Sequence, residues 1–391
     1  MTTRDITNDQ DWLDFSHEWA IRPDTLYMNH GSFGPPPRPV KYARRRWIDA
    51  LDEQPMDFYV RLLEPAVLRA REATSEFVGT ALNNLVLVEN ATFGMNVVAD
   101  SFPLKEGDEV LLNNHEYGAV HRIWERICRR TGAIMRSVDL PRRIDSQEEV
   151  VQSILSGVNE NTRLVVVSHV TSATALIMPV QQICEKLRER GVAVCIDGPH
   201  APAQIELNID QLGCDFYTAS CHKWLCGNLG SGFLVVHPRW HTTLEPQLKS
   251  WGRLLPAIPE RWFEEFTWSG TRDPSVYLTV PDAIEFMKSV GLQQFRERTY
   301  WLAAQARDRL AAEFGGEPLA DPSKGWYGCM AHMPLPSGDW TELQHRLWNQ
   351  HGIEVPIIHF ENDWFVRVSC HLYNHQIQLD TLVKALWLET R

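Results

Sequence analysis

The chain is 391 residues long, 44% hydrophobic and 23% charged, enough for two or three domains around a large buried core. Its formal charge of -12 argues against nucleic-acid and anionic-membrane partners, either of which needs a clustered basic face. No apolar run approaches the roughly 20 residues of a membrane-spanning helix, and the 8 cysteines lack the paired spacing of a zinc site or a disulfide framework, so buried thiols in a reducing cytoplasm, with no metal, are expected.

Taken in chain order, Met1 to Trp12 is polar and acidic and does not resemble a signal peptide. Asn29-His-Gly-Ser-Phe-Gly34 runs into Pro35-Pro36-Pro37 and reads as a Gly-rich turn. Arg44, Arg45 and Arg46 read as a solvated basic run outside the helices. From Leu85 to His237, short β-rich apolar runs alternate with amphipathic helical stretches, the pattern of an α/β fold whose mostly parallel sheet is flanked by helices. The predicted strands are Leu85 to Val88, Glu109 to Leu112, Ile134 to Val138, Leu164 to His169, Val192 to Ile196, Phe216 to Thr218 and Gly232 to Val236. Between them Gln181 to Arg190 is predicted helical, with Ile183 and Leu187 four residues apart and Gly191 at the C-terminal cap.

Arg253 to Pro281 is rich in Pro, Gly and Trp without a sustained period, and is predicted to carry the domain connection. Long helices are expected over Asp282 to Phe314, short strands at Ile353 to Val355 and Trp364 to Val368, and a final helix at Leu379 to Leu388. The expected division is an N-terminal arm and substrate-side segment (1–30), a large α/β domain (31–275) and a smaller α+β C-terminal domain (276–391). No internal repeat is visible.

The chemistry concentrates in Asp197-Gly-Pro-His200 and in Asp215-Phe-Tyr-Thr-Ala-Ser220-Cys-His222-Lys223-Trp224. An Asp closing an apolar strand lies at the carboxyl edge of a parallel sheet, where such sheets bind ligands; as a lone residue it reads equally as a turn Asp before Gly198-Pro199. A Lys between His222 and Trp224 just past another strand suits an amine that must shed a proton and attack an aldehyde. Asn90-Ala91-Thr92 opens a helix after the strand Leu85 to Val88, so its free amides would face a phosphate, although an Asn cap needs no ligand. Arg367 sits in the apolar run Trp364 to Ser369 and would grip a carboxylate through two parallel hydrogen bonds, a structural salt bridge being the competing reading. Asn29 and His30 are assigned to the substrate side, with the turn itself as the alternative. Trp251, Trp262, Trp268 and His359 are candidates to shape a side-chain pocket.

These segments, with His115-Glu-Tyr-Gly118, Ser168-His-Val-Thr-Ser-Ala-Thr174, Gly270-Thr271, Arg367-Val-Ser and Leu372-Tyr-Asn374, occur in an order and spacing that resembles the class V aminotransferase superfamily of fold-type I pyridoxal phosphate enzymes. The similarity runs nearly end to end and is greatest with the isopenicillin N epimerase-like branch. The resemblance implies pyridoxal 5'-phosphate held as a Schiff base on Lys223, which also serves as base at the substrate α-carbon. It further implies Asp197 at the pyridine nitrogen, Tyr117 over the ring face, and His200 and Ser172 near the ring hydroxyl. Phosphate donors would come from Ala91, Thr92, Ser220 and His222, with Thr271 reaching the phosphate of a neighbouring subunit, hence a homodimer with shared active sites. Relatives commonly have a small residue where Pro199 stands and Pro-Lys where Asn228-Leu229 stand.

The resemblance leaves several reactions open on one amino acid: epimerisation or racemisation first, transamination beside it, and carbon-sulfur β-elimination as the alternative. A cysteine desulfurase would need a nucleophilic Cys after its Gly-Ile-x-Val segment, and Gly352-Ile-Glu-Val355 is followed by none until Cys370. A non-catalytic ligand sensor on the same fold is the reading from another class.

Overall fold

In the computed structural model, which describes residues 4–252 and 259–391, the chain forms twelve strands: β1 (Leu26–Tyr27), β2 (Leu85–Val88), β3 (Glu109–Asn113), β4 (Ile134–Val138), β5 (Thr162–Ser168), β6 (Ala193–Asp197), β7 (Phe216–Ser220), β8 (Gly232–Val236), β9 (Met330–Pro334), β10 (Ile353–Glu354), β11 (Ile357–Phe360) and β12 (Asp363–Ser369). The main sheet has the order β2-β8-β7-β6-β5-β3-β4. It is parallel except at β8, which runs antiparallel to both β2 and β7. This is the α/β fold expected, because strands covered on both faces by helices must be apolar on both. In β5 and β6, Val165, Val167, Val194 and Ile196 enter one core. Leu164, Val166, Ala193 and Cys195 enter the core on the opposite side of the sheet, as the two-residue period requires.

A smaller antiparallel sheet of order β11-β12-β9 packs with the helices Leu292–Phe314, Leu343–His351 and Gln376–Glu389 around a third core that includes Leu302, Val366, Val368 and Leu382. The N-terminal segment is tied to this layer. β1 pairs in parallel with β10, and Asn29 bridges to Ser369.

The helix over 181–190 occupies Val180–Glu189, and Gly291, at φ +88°, divides the C-terminal pair into Val280–Val290 and Leu292–Phe314. The Arg44–Arg46 run does face solvent, but it lies inside the helix Arg38–Glu53 rather than outside helices. Pro39 sits in that helix's first turn, where a missing N–H costs nothing, and Val40 and Ala43 are its buried stripe. Of the predicted domain connection, residues 253–258 lie outside the described residues. Residues 259–281 hold two short helical turns, Trp262–Phe266 and Ser275–Leu278. All eight cysteines are free and buried, and among the described residues no helix is long and apolar enough to cross a membrane.

Candidate active site

The carboxyl ends of β6 and β7 and the helix that follows β2 surround a cavity of about 320 Å³. Its wall brings together Ala91, Thr92, Tyr117, Ser172, Asp197, His200, Ser220, His222 and Lys223. Each is delivered by a simple local device. Asn90 caps the helix Ala91–Ser101 by accepting from the Phe93 amide at 2.9 Å, and Ala91 N–H donates to Ser220 Oγ at 3.0 Å. That contact joins a helix start to the end of β7 although β2 and β7 never pair. β8 stands between them, and Gly232 makes the approach feasible, since a Cβ there would lie 2.5 Å from the Ala219 carbonyl oxygen and 2.8 Å from Asn90 Cα.

Lys223 follows β7 in a loop held from behind. His30 Nε2 lies 3.0 Å from the Lys223 carbonyl oxygen and its Nδ1 lies 2.8 Å from the Tyr373 hydroxyl. A carbonyl only accepts, so His30 carries its proton on Nε2 and receives the Tyr373 proton at Nδ1. The turn 29–34 can press this closely because Gly34 has no side chain; a Cβ would sit 2.5 Å from the His222 carbonyl oxygen. The Lys223 amine is 2.8 Å from His200 Nε2. Burial, then the charge of Arg367, pulls the amine's pKa down, against the opposing pull of Asp197. The same burial pushes the Asp197 carboxyl up, with Lys223 countering. Both groups are therefore driven toward their neutral forms, with the Arg367 charge adding to burial at the amine and the mutual attraction of Lys223 and Asp197 opposing it.

Arg367 does not line the cavity wall; it stands directly behind two residues that do. Its Nη2 donates to Ser32 Oγ at 2.8 Å, its Nη1 donates to the Ser172 carbonyl oxygen, and its Nε has no partner among the described residues. Asn29 opens onto a neighbouring cavity of about 840 Å³ and donates to Glu354 Oε1 at 3.1 Å. His30 is fully buried behind Lys223, with both ring nitrogens engaged. Thr271 is exposed and outside the wall of the cavity. The four proposed pocket formers are elsewhere: Trp251 is 67% exposed, Trp262 donates to the Asn83 carbonyl oxygen and stacks on His241, Trp268 packs edge-on against Tyr59, and His359 lies against Trp364 on the small sheet. Besides the imidazoles of His200 and His222, the cavity wall carries the rings of Tyr117 and Phe33, 51% and 65% exposed. Pro199 lines the cavity too, and Leu229 faces the neighbouring one.

Glu116 is a participant that sequence reasoning passed over. Its carboxyl accepts from the Ser168 amide at 2.9 Å, the Ser168 hydroxyl at 2.6 Å and the Asn113 side chain. Ser168 is the register partner of Asp197, so this knot fixes the sheet edge beside Asp197. Burial pushes the Glu116 carboxyl to about 8 despite the three donors. The signal was present in His115-Glu-Tyr, but nothing in the sequence pairs residue 116 with residue 168. His169, at the end of β5, is tied to the Tyr217 hydroxyl at 2.8 Å and faces the core.

The chain matches the family model described as Aminotransferase class-V over residues 62–382. It is 35% identical to an isopenicillin N epimerase of Amycolatopsis lactamdurans and 33% identical to one of Streptomyces clavuligerus, in each case over 96% of this chain and 98% of the relative. An L-cysteine desulfhydrase of Arabidopsis thaliana is 27% identical over 85% of this chain and 77% of its own. Among solved structures, C-DES with glycine covalently linked to its PLP cofactor superposes with a TM-score of 0.84 at 20% identity, covering 95% of this chain and 98% of that one.

Proposed function

We infer the reaction from a premise that the family model and the two epimerase relatives establish: this chain belongs to the aminotransferase class-V family. It is a pyridoxal 5'-phosphate-dependent enzyme acting at the α-carbon of an amino acid, and the reading supported best is an isopenicillin N epimerase-like epimerisation or racemisation. The observation that carries it is the convergence of Lys223, Asp197 and a helix N-terminus on one cavity. The residues present suit the cofactor on their own chemistry. The helix start and Ser220 offer donors for a phosphate, His222 Nδ1 is a buried nitrogen without a partner among the described residues, and the Asp197 carboxyl, which burial pushes up, would be returned to its ionised form by a protonated ring nitrogen.

Bound pyridoxal phosphate supplies an electron-withdrawing ring that acidifies the α-carbon of an attached amino acid. Ala91, Thr92, Ser220 and His222 would hold its phosphate, Asp197 its ring nitrogen and Tyr117 one ring face. Lys223, an amine held near neutrality inside the cavity, would exchange the α-proton on one face of the α-carbon, and inversion requires a second donor on the opposite face. Arg367 orients the amino acid by its carboxylate, giving up the Ser32 and Ser172 contacts to do so. His200 Nε2 lies 2.8 Å from the Lys223 amine.

A second reading, carbon-sulfur elimination, is favoured by the desulfhydrase relatives. Among the described residues that line the cavity there is no cysteine, and Cys370 is fully buried, so persulfide chemistry on a protein thiol lacks its nucleophile. On either reading we propose that the protein is a cytoplasmic homodimer in which Thr271 serves the neighbouring subunit's phosphate, and that the chain divides at 30 and 275. The buried free thiols fit a reducing compartment.

The test is incubation of the holoenzyme with single amino acids in deuterated water, following α-proton loss, chirality and pyruvate. Deuterium at the α-carbon with both stereoisomers, abolished by Lys223→Ala, is the expected result. Pyruvate and sulfide from a cysteine derivative would replace epimerisation with elimination. A purified protein whose visible spectrum is indifferent to pyridoxal phosphate and to Lys223→Ala would remove the cofactor altogether.

A further inference from the structure

Trp224 follows Lys223 directly and is fully buried. Its indole Nε1 lies 3.3 Å from Nδ1 of His200. On the far edge of the same imidazole, Nε2 lies 2.8 Å from Nζ of Lys223. The donor inventories of the three groups permit one arrangement of protons. An indole N–H donates and never accepts, so His200 Nδ1 is the acceptor and bears no proton. A neutral imidazole has a single N–H, which therefore sits on Nε2 and points at Lys223. Nζ can receive it only with a free lone pair. An ammonium has three donors and no acceptor, and would set N–H against N–H. A doubly protonated His200 would do the same to the indole, and burial holds its ring well away from that form.

We propose that Trp224 is a positioning residue: by fixing His200 in its Nε2–H tautomer it holds the Lys223 amine as a hydrogen-bond acceptor, unprotonated and ready to condense with an aldehyde. The proposal rests on the cofactor reading above. The amine nitrogen gives its lone pair to the aldehyde carbon, its two protons leave with the aldehyde oxygen as one water, and a C=N bond remains. An ammonium would first have to lose a proton, and His200, with Nε2 already protonated, cannot take it. The charged and titratable groups facing the amine are Asp197 at the end of β6, His200 in the turn after it, His222 in its own loop and Arg367 on β12. His30, from the N-terminal turn, holds only the Lys223 carbonyl. Asp197 favours the ammonium and Arg367 opposes it. Trp224 bears no charge, so its influence runs through the tautomer of His200.

The test uses cofactor-free protein. Trp224→Phe keeps an aromatic ring and deletes the N–H, freeing His200 to place its proton on Nδ1 and accept from an ammonium at Nε2. The rate at which pyridoxal phosphate absorbance appears is measured against pH in the variant and the wild type, so that the titrations of free pyridoxal phosphate cancel. Borohydride reduction and peptide mass confirm attachment at Lys223. The alkaline midpoint is expected to rise by about one pH unit in the variant, a tenfold smaller neutral fraction at fixed pH. Independently of how well the variant folds, wild-type protein carrying 15N-histidine reports the tautomer, with the His200 signal identified by its loss in His200→Gln. A bare Nδ1 and a protonated Nε2 are expected. A proton on Nδ1 in the wild type, or an unmoved midpoint in folded Trp224→Phe, overturns the proposal. If wild-type protein takes up no pyridoxal phosphate, the cofactor reading falls, and the nitrogen spectrum still decides the tautomer.

Discussion

Replacing Arg367 by lysine separates substrate binding from structural support. The guanidinium bridges two cavity-wall residues, Ser32 through Nη2 and Ser172 through Nη1, and these are the two nitrogens that would turn to a carboxylate. Lysine keeps the charge but presents a single head, so one of two charge-assisted hydrogen bonds to the substrate is lost. Such a bond is worth about 1.5–3 kcal/mol, which is about 10- to 150-fold in affinity. The assay is titration of the holoenzyme with L-alanine and with ethylamine, which lacks the carboxylate, while the visible absorbance of the bound cofactor is followed. Wild type should prefer alanine strongly, and Arg367→Lys should lose about that factor for alanine with little change for ethylamine. An equal loss for both ligands would mean that Arg367 only supports the wall, and the carboxylate assignment would be withdrawn.

Tyr117→Leu removes an aromatic face worth about 0.5–1.5 kcal/mol in a stacked pair. It should weaken pyridoxal phosphate binding by about 2- to 10-fold in a fluorescence titration, and unchanged affinity would place the cofactor ring away from Tyr117. Glu116→Gln should flatten part of the dependence of cofactor-free stability on pH. The folded carboxyl titrates near 8 against an ordinary 4.5, so the native state holds an extra proton between those values, and its contribution to stability is full below pH 4.5 and lost as pH rises through 8. Denaturant midpoints of wild type and variant that fall in parallel across that window would show that Glu116 is ionised in the fold.

The strands were legible where burial on both faces leaves little choice of residue: β2 and β8, buried throughout, occur at the positions their apolar runs predict, and β4 occurs where expected although it is a largely exposed edge strand. The edge that carries the chemistry was legible for the same reason, since a polar residue ending such a run must lie at a sheet margin. The helix Arg38–Glu53 was hidden by the prolines before it and by a basic face that gave no apolar period of sufficient width. What the sequence does not contain is distance. Glu116 finds its partner 52 residues on, His30 reaches Lys223 across 193, and no local pattern foretells either. Composition alone could not place the tryptophans: ring-rich segments suggested a pocket, whereas Trp262 packs on Phe266 and Trp268 on Tyr59, outside the cavity wall.

The insertion of β8 between β2 and β7 has a consequence for biosynthesis. A nascent chain released as far as Lys223 already contains Asp197, His200, the reactive amine and the two contacts that tie the helix Ala91–Ser101 to β7, Ala91 N–H to Ser220 Oγ and Thr218 Oγ1 to the Ala91 carbonyl oxygen, but it lacks Gly232–Val236, the strand that fills the space between β2 and β7. Contacts this distant along the chain form late. The sheet therefore closes from the inside, with the last of its strands in chain order filling a gap between two that are already made.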